Sequence, residues 1–227
     1  MASINQLVSE IAHSLKQPDS VPVRRAIKLG IIHGRNEAIR RTYSNHNYTD
    51  KVLQQRVRLT LSNVPDGDLN GTKGLGLDII KRTTNKVPKP TRLPNNIPFH
   101  SVRTAGVKNP LEIAFVKEAS AKYYNQLPGM CPVITYDYIN GYIYINFPND
   151  ETFRNINNII VESVFEYPHM ISSETIENPL SFDEIDDNDE FLLPEDMINT
   201  VKKFVLETWN ANVIRDTNEV SGINKVS

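Results

Sequence analysis

The chain has 227 residues, 39% of them hydrophobic, a formal charge of −2 and a single cysteine, Cys131. That length buries roughly 70–75% of the unfolded surface without staples, and one cysteine excludes an intrachain disulfide and an all-cysteine metal site, so the expected setting is reducing. No apolar run approaches the about 20 residues of a membrane span, and Met-Ala-Ser-Ile-Asn-Gln-Leu-Val is not a secretion signal, so neither membrane insertion nor export is expected.

The small net charge hides a steep split. Residues 1–125 carry 20 Lys and Arg against 9 Asp and Glu, whereas residues 126–227 carry 5 against 18. Two copies placed head to tail bring these opposite fields together, which favours a heterologous, ring-closing contact.

In chain order, Ser3 caps a predicted amphipathic helix over residues 3–16, with Ile4, Leu7, Val8, Ile11 and Leu15 on one face. A second helix is predicted over 22–43, where Val23, Ile27, Ile31, Ala38 and Ile39 form the apolar stripe. Its other face is basic: Arg24, Arg25, Lys28, Arg35, Arg40 and Arg41 span about five turns. Such a face suits an acidic protein neighbour, the favoured reading, or nucleic-acid phosphates, the alternative. Gly30 and Gly34 each cost about 1 kcal/mol of helix propensity, which predicts a close helix contact or a break.

Alternation then replaces the helical period. Residues 56–64 read as a half-buried strand, 66–74 as a turn and loop, and 76–82 as a second strand. Pro88, Pro90, Pro94 and Pro98 force an extended crossing segment. Residues 111–124 are weakly helical by pattern. Residues 133–147 form a hairpin about Asn140-Gly141, whose type I′ turn sets Ile139 opposite Tyr142. Ile134, Tyr136, Tyr138, Ile143, Ile145 and Phe147 then share the core face, while Tyr142 and Tyr144 fall on the other face and are candidates for an interface.

A further strand spans 159–167. Residues 174–190 hold eight acidic residues, among them Asp183, Glu184, Asp186 and Asp187, and read as an exposed loop. Pro194-Glu195-Asp196 opens a last helix, docked through Met197, Val201, Phe204, Val205 and Trp209. Apolar periodicity fades after Trp209. Residues 211–227 therefore read as a flexible tail whose Val213, Ile214 and Ile223 suit a partner's groove.

Chemistry finds little foothold. Gly71-Thr-Lys-Gly-Leu-Gly76 lacks the spacing of a phosphate loop. His13, His33, His46, His100 and His169 are scattered, and the acidic run lacks the glycine of a calcium loop. No serine sits in a nucleophile elbow. The expectation is a protein without catalytic residues, metal or cofactor.

Val23-Arg-Arg-Ala-Ile-Lys-Leu-Gly-Ile-Ile-His-Gly-Arg-Asn-Glu-Ala-Ile-Arg-Arg-Thr-Tyr43 is followed by Ile79-Ile-Lys-Arg-Thr83 and Val87-Pro-Lys-Pro-Thr-Arg-Leu93. Then come the Asn-Gly-Tyr-Ile-Tyr-Ile hairpin, Phe165-Glu-Tyr-Pro168 and Leu193-Pro-Glu-Asp-Met-Ile198. In this order, over about residues 5–210, the set resembles neck proteins of tailed bacteriophages, particularly ring or adaptor proteins of crAss-like phages. The resemblance implies a virion protein made in the host cytoplasm and a homo-oligomeric ring, commonly a dodecamer. It further implies contacts with the portal protein and adjacent ring or tail proteins, and a channel passing DNA without sequence specificity. It transfers no catalytic motif.

From the residues themselves the fold class expected is α+β, with N-terminal helices, a mostly antiparallel central sheet with a hairpin, and a C-terminal helix. Residues 1–210 are taken as one connector domain and 211–227 as its tail.

Overall fold

The computed structural model describes residues 2–46, 49–65, 68, 78–105, 110–116, 133–148, 153, 155–168, 171, 188 and 191–223, with the backbone alone at 78, 79 and 211–223. Outside the described residues lie the Gly-rich stretch 71–76, Cys131, His169, the acidic loop except Asn188, and residues 224–227. The fold is α+β. Contacts within the span taken above as one domain group into two compact units, residues 1–53 with 185–227, and 54–184.

The first unit is helical. Helix α1 (Ile4–Ser14) begins where Ser3 Oγ accepts the Gln6 amide at 3.2 Å, and it buries Ile4, Leu7, Val8, Ile11 and Ala12. Helix α2 (Val21–His46) and the C-terminal helix α3 (Glu195–Ile223) complete the layer. Their shared core joins Ile27, Ile31 and Ala38 of α2 to Val201 and Val205 of α3, with Met197, Phe204 and Trp209 packed at its margin.

Of the two outcomes left open for Gly30 and Gly34, a close contact or a break, the structure shows the contact. A Cβ on Gly34 would lie 3.0 Å from Phe204 and 3.2 Å from Val201, and one on Gly30 would lie 3.4 Å from Val205. Residue numbers rise along α2 as they fall along α3, so the two helices are antiparallel.

Helix α3 is longer than its apolar pattern suggests. Fading periodicity puts its end near residue 210, yet the backbone stays helical to Ile223. Once a helix is nucleated, each added residue gains a backbone bond whatever its side chain, and neither proline nor glycine interrupts α3 before Gly222.

The second unit is a seven-stranded sheet in the order β3-β7-β1-β2-β6-β5-β4. The strands are β1 (Gln55–Asn63), β2 (Asp78–Thr83), β3 (Ser101–Thr104), β4 (Ala114–Phe115), β5 (Thr135–Ile139), β6 (Tyr142–Pro148) and β7 (Asn158–Ser163). All pairs are antiparallel except β4 with β5. The hairpin keeps its predicted register, Ile139 opposite Tyr142, with Asn140 at φ 53° and Gly141 at φ 86°.

Residues 111–116 bring the two ends of the sheet together. On one side Thr104 N–H donates to Leu111 O at 3.0 Å and Ile113 N–H to Val102 O at 2.7 Å; on the other, Ala114 N–H and Val116 N–H donate to Ile134 O and Tyr136 O. The weak helix predicted over 111–124 is thus corrected for its first part, because long-range pairing satisfies these backbone groups on both sides; residues 117–124 lie outside the described set.

The interior of this nearly closed barrel is filled. Val57, Leu59, Leu61, Val102, Ile113, Tyr136, Ile143, Ile145, Phe147, Ile159 and Val161 form one cluster, joined by Phe99 and Phe165. Phe99 packs edge-on to Tyr138 with ring centroids 5.1 Å apart. Lys81 is drawn inside as well. Its Nζ donates to Ile156 O at 2.8 Å and Asn157 Oδ1 at 2.9 Å, and burial pulls its pKa down. The subunit's barrel is therefore a core and not a pore.

Candidate functional site

The six cations expected to make one basic face on α2 are placed in very different surroundings. Arg35 is fully buried. Its Nε donates to Leu192 O at 2.8 Å, its guanidinium lies 5.9 Å from the Phe191 ring centroid, and burial pulls its pKa down to about 10. The expectation that Arg35 belongs to an exposed basic face is corrected: helical spacing gives it the α2 face where Ile31, Gly34 and Ala38 are also buried. It ties α2 to the chain entering α3.

Arg24 is half-buried and engaged within its own unit, donating to Pro18 O at 3.2 Å, Asn5 Oδ1 at 2.9 Å and Ser9 Oγ at 3.1 Å. Arg41 is exposed and paired with Glu37 at 3.0 Å, one turn back. Arg25 is exposed, Lys28 and Arg40 are half-exposed, and each interacts with neighbouring groups. The basic face of α2 is thus smaller than the count of its cations.

The hairpin tyrosines also separate. Tyr144 is buried, and its hydroxyl donates to Asp68 Oδ2 at 2.8 Å, the same oxygen that Arg82 reaches at 2.6 Å. The exposure expected of Tyr144 is corrected, because Asp68 and Arg82 engage its polar end. Tyr142 stays half-exposed, with the Arg82 guanidinium 4.5 Å from its ring centroid.

Asp183, Glu184, Asp186 and Asp187 lie outside the described residues. Val213, Ile214 and Ile223 lie on helical backbone. Continuing the antiparallel register of Gly30 with Val205 brings the start of α2 level with about residue 214. At 1.5 Å per residue, the α3 backbone then runs roughly 13 Å past it.

A charged patch that sequence reasoning missed lies on the outer wall of the barrel. Arg58 of β1 stands opposite Ile160 of β7, which stands opposite Arg103 of β3; in the adjacent row Arg56 faces Glu162, which faces Ser101. Arg56 bonds Glu162 at 2.9 Å, and Arg103 lies 3.9 Å from the same carboxylate oxygen. Alternation in Arg56-Val-Arg58 puts two arginines on one face. Only the pairing of β1, β7 and β3 adds Arg103 to them.

Among the described residues no three His, Cys, Asp or Glu side chains are grouped as metal ligands would be, and no helix is long and apolar enough to cross a membrane. A family model described as phage tail ring protein 2 matches residues 6–222. No curated protein matches the chain.

Proposed function

This chain belongs to the phage tail ring protein 2 family of crAss-like phages, and from that footing we propose that it closes a ring in the head-to-tail connector. A tail ring protein is a structural, homo-oligomeric part of the virion tail. The finer reading is a dodecamer stacked between the portal and adjacent ring or tail proteins, around a channel through which DNA passes without being read.

The observation that carries this reading is the family match over nearly the whole chain. Two others support it. The charge split, 20 Lys and Arg against 9 acids in the first 125 residues and 5 against 18 in the rest, suits head-to-tail neighbours. A barrel filled with side chains leaves no room for DNA through the middle of a subunit, which suits a channel at the centre of a ring. The far end of α3, carrying Val213, Ile214 and Ile223, is the segment we assign to the portal or the next ring.

Nucleic-acid binding through the basic helix is the weaker reading, since Arg35 is buried and Arg24 is held by Pro18, Asn5 and Ser9. Electron microscopy of the purified chain, alone and mixed with its portal, tests the choice. Closed rings, free or seated on the portal, are expected. A monomer in both samples that shifts free DNA would overturn the connector reading.

A further inference from the structure

The patch on the barrel wall has the makings of one half of a contact. Three guanidinium groups, on Arg56, Arg58 and Arg103, stand on one face of the wall; Arg56 and Arg103 share the Glu162 carboxylate, Glu112 lies beside Arg103 across an isolated bridge, and the half-buried Ile160 sits between Arg58 and Arg103. Arg56 is 65% exposed and Arg103 30%. The Arg58 side chain is exposed, with no ion pair or hydrogen bond to another described residue. The other half of a contact is written in the same chain. Residues 174–190 contain eight acidic residues and no Lys or Arg, and within them Ile185 stands between Asp183-Glu184 and Asp186-Asp187.

We propose that the Arg56, Arg58 and Arg103 patch receives the acidic segment 174–190 of a second copy of this chain, making the head-to-tail contact of the ring. This rests on the ring reading above. Arg58 and Arg103 are separated by two strand spacings, roughly 10 Å, and an extended segment would put Asp183, Ile185 and Asp187 on one face with the two carboxylates about 13 Å apart, a span that long arginine side chains can meet. An acidic peptide with a central isoleucine uses every part of the patch, its carboxylates meeting the arginines and its apolar side chain meeting Ile160. A phosphate backbone offers nothing to Ile160, which favours the peptide over nucleic acid. A chain that carries both halves on different surfaces makes a heterologous contact, which repeats around a ring.

Site-directed cross-linking tests the proposal in the full-length protein. With Cys131→Ser as background, Arg58→Cys combined with Asp187→Cys and treated with a short bismaleimide should give a ladder of covalent multimers on a denaturing gel, and neither cysteine alone should. In parallel, Arg58→Glu should lower ring yield about tenfold at physiological salt without moving the unfolding temperature. Asp183→Lys with Asp187→Lys should restore that yield.

Rings that assemble with no interchain cross-link would overturn this contact while leaving the connector reading intact. A product linked only within one chain would also overturn it, as would loss of DNA retention in Arg58→Glu with ring yield unchanged. A chain that forms no ring, alone or on its portal, would remove the reading beneath it.

Discussion

Helix α2 and strand β1 treat their arginines in opposite ways, although both lie in the basic half of the sequence. In α2 the 3.6-residue period carries a long basic run around the helix, so its members meet different surroundings: Arg35 is buried beside Phe191, Arg24 is bound by three oxygens, and Arg41 stays at the surface. In β1 the two-residue period keeps Arg56 and Arg58 together on the outer wall while Val57 and Leu59 enter the core. A count of cations therefore says little about a basic surface until the period of the element is known.

The largest expected effect breaks that contrast directly. Arg35→Ala should destabilise the protein by about 3 to 4 kcal/mol, since it removes a charged donor from Leu192 O and leaves a cavity. Arg58→Ala, on an exposed strand face, should stay within about 0.5 kcal/mol. Chemical denaturation of the two variants measures the difference, and equal losses would mean that the two arginines do not differ as described.

Next come the helix contacts. Gly34→Leu must displace Phe204 and Val201, and a loss of about 2 to 3 kcal/mol is expected. Gly30→Ala meets Val205 at an ordinary contact distance and relieves a helix penalty, so it should be neutral or gain up to about 1 kcal/mol. A Gly34→Leu protein that melts no lower than wild type would refute the close approach at Gly34.

In the barrel, Gly141→Val should cost about 1 to 2 kcal/mol. Space is not the reason, because the nearest atoms to a Cβ there belong to Lys86 at 3.6 Å; the cost comes from holding a β-branched residue at φ 86°. Gly141→Asn, which tolerates that region, should recover much of the stability. An unchanged melting temperature in Gly141→Val would count against the turn.

The smallest effect concerns the surface pair of Glu10 and Lys202, which joins α1 to α3. The hydrogen bond from Lys202 holds the Glu10 pKa below the usual carboxylate value. A lowered folded pKa means the pair's contribution is complete above the unfolded pKa and is lost as pH falls through the folded one. With Glu10 44% exposed, solvent screening keeps the amount under about 0.5 kcal/mol. Glu10→Gln should therefore flatten the acid limb of the stability profile only slightly, and a large change there would show a buried role.

Much of the fold was legible because its signals are local. The Ser3 cap and the Asn140-Gly141 turn with its register each depend on residues within a few positions, where backbone geometry and side-chain type leave few solutions, whereas Gly30 and Gly34 left a close contact or a break open until α3 was placed against them. The helical continuation past Trp209 was less legible, because the apolar pattern used to trace α3 ends before its hydrogen-bond ladder does.

What only the tertiary structure decided is which residues from distant parts of the chain meet. Arg35 reaches Leu192 across 157 positions, Tyr144 reaches Asp68 across 76, and residues 111–116 become the piece that nearly closes the barrel because β3 and β5 lie on either side of them. The row of Arg58, Ile160 and Arg103 exists only through cross-strand register. Periodicity assigns a side chain to a face of its own element, but burial and charge neighbourhood are set by what packs against that face, and that depends on pairings a local pattern does not encode.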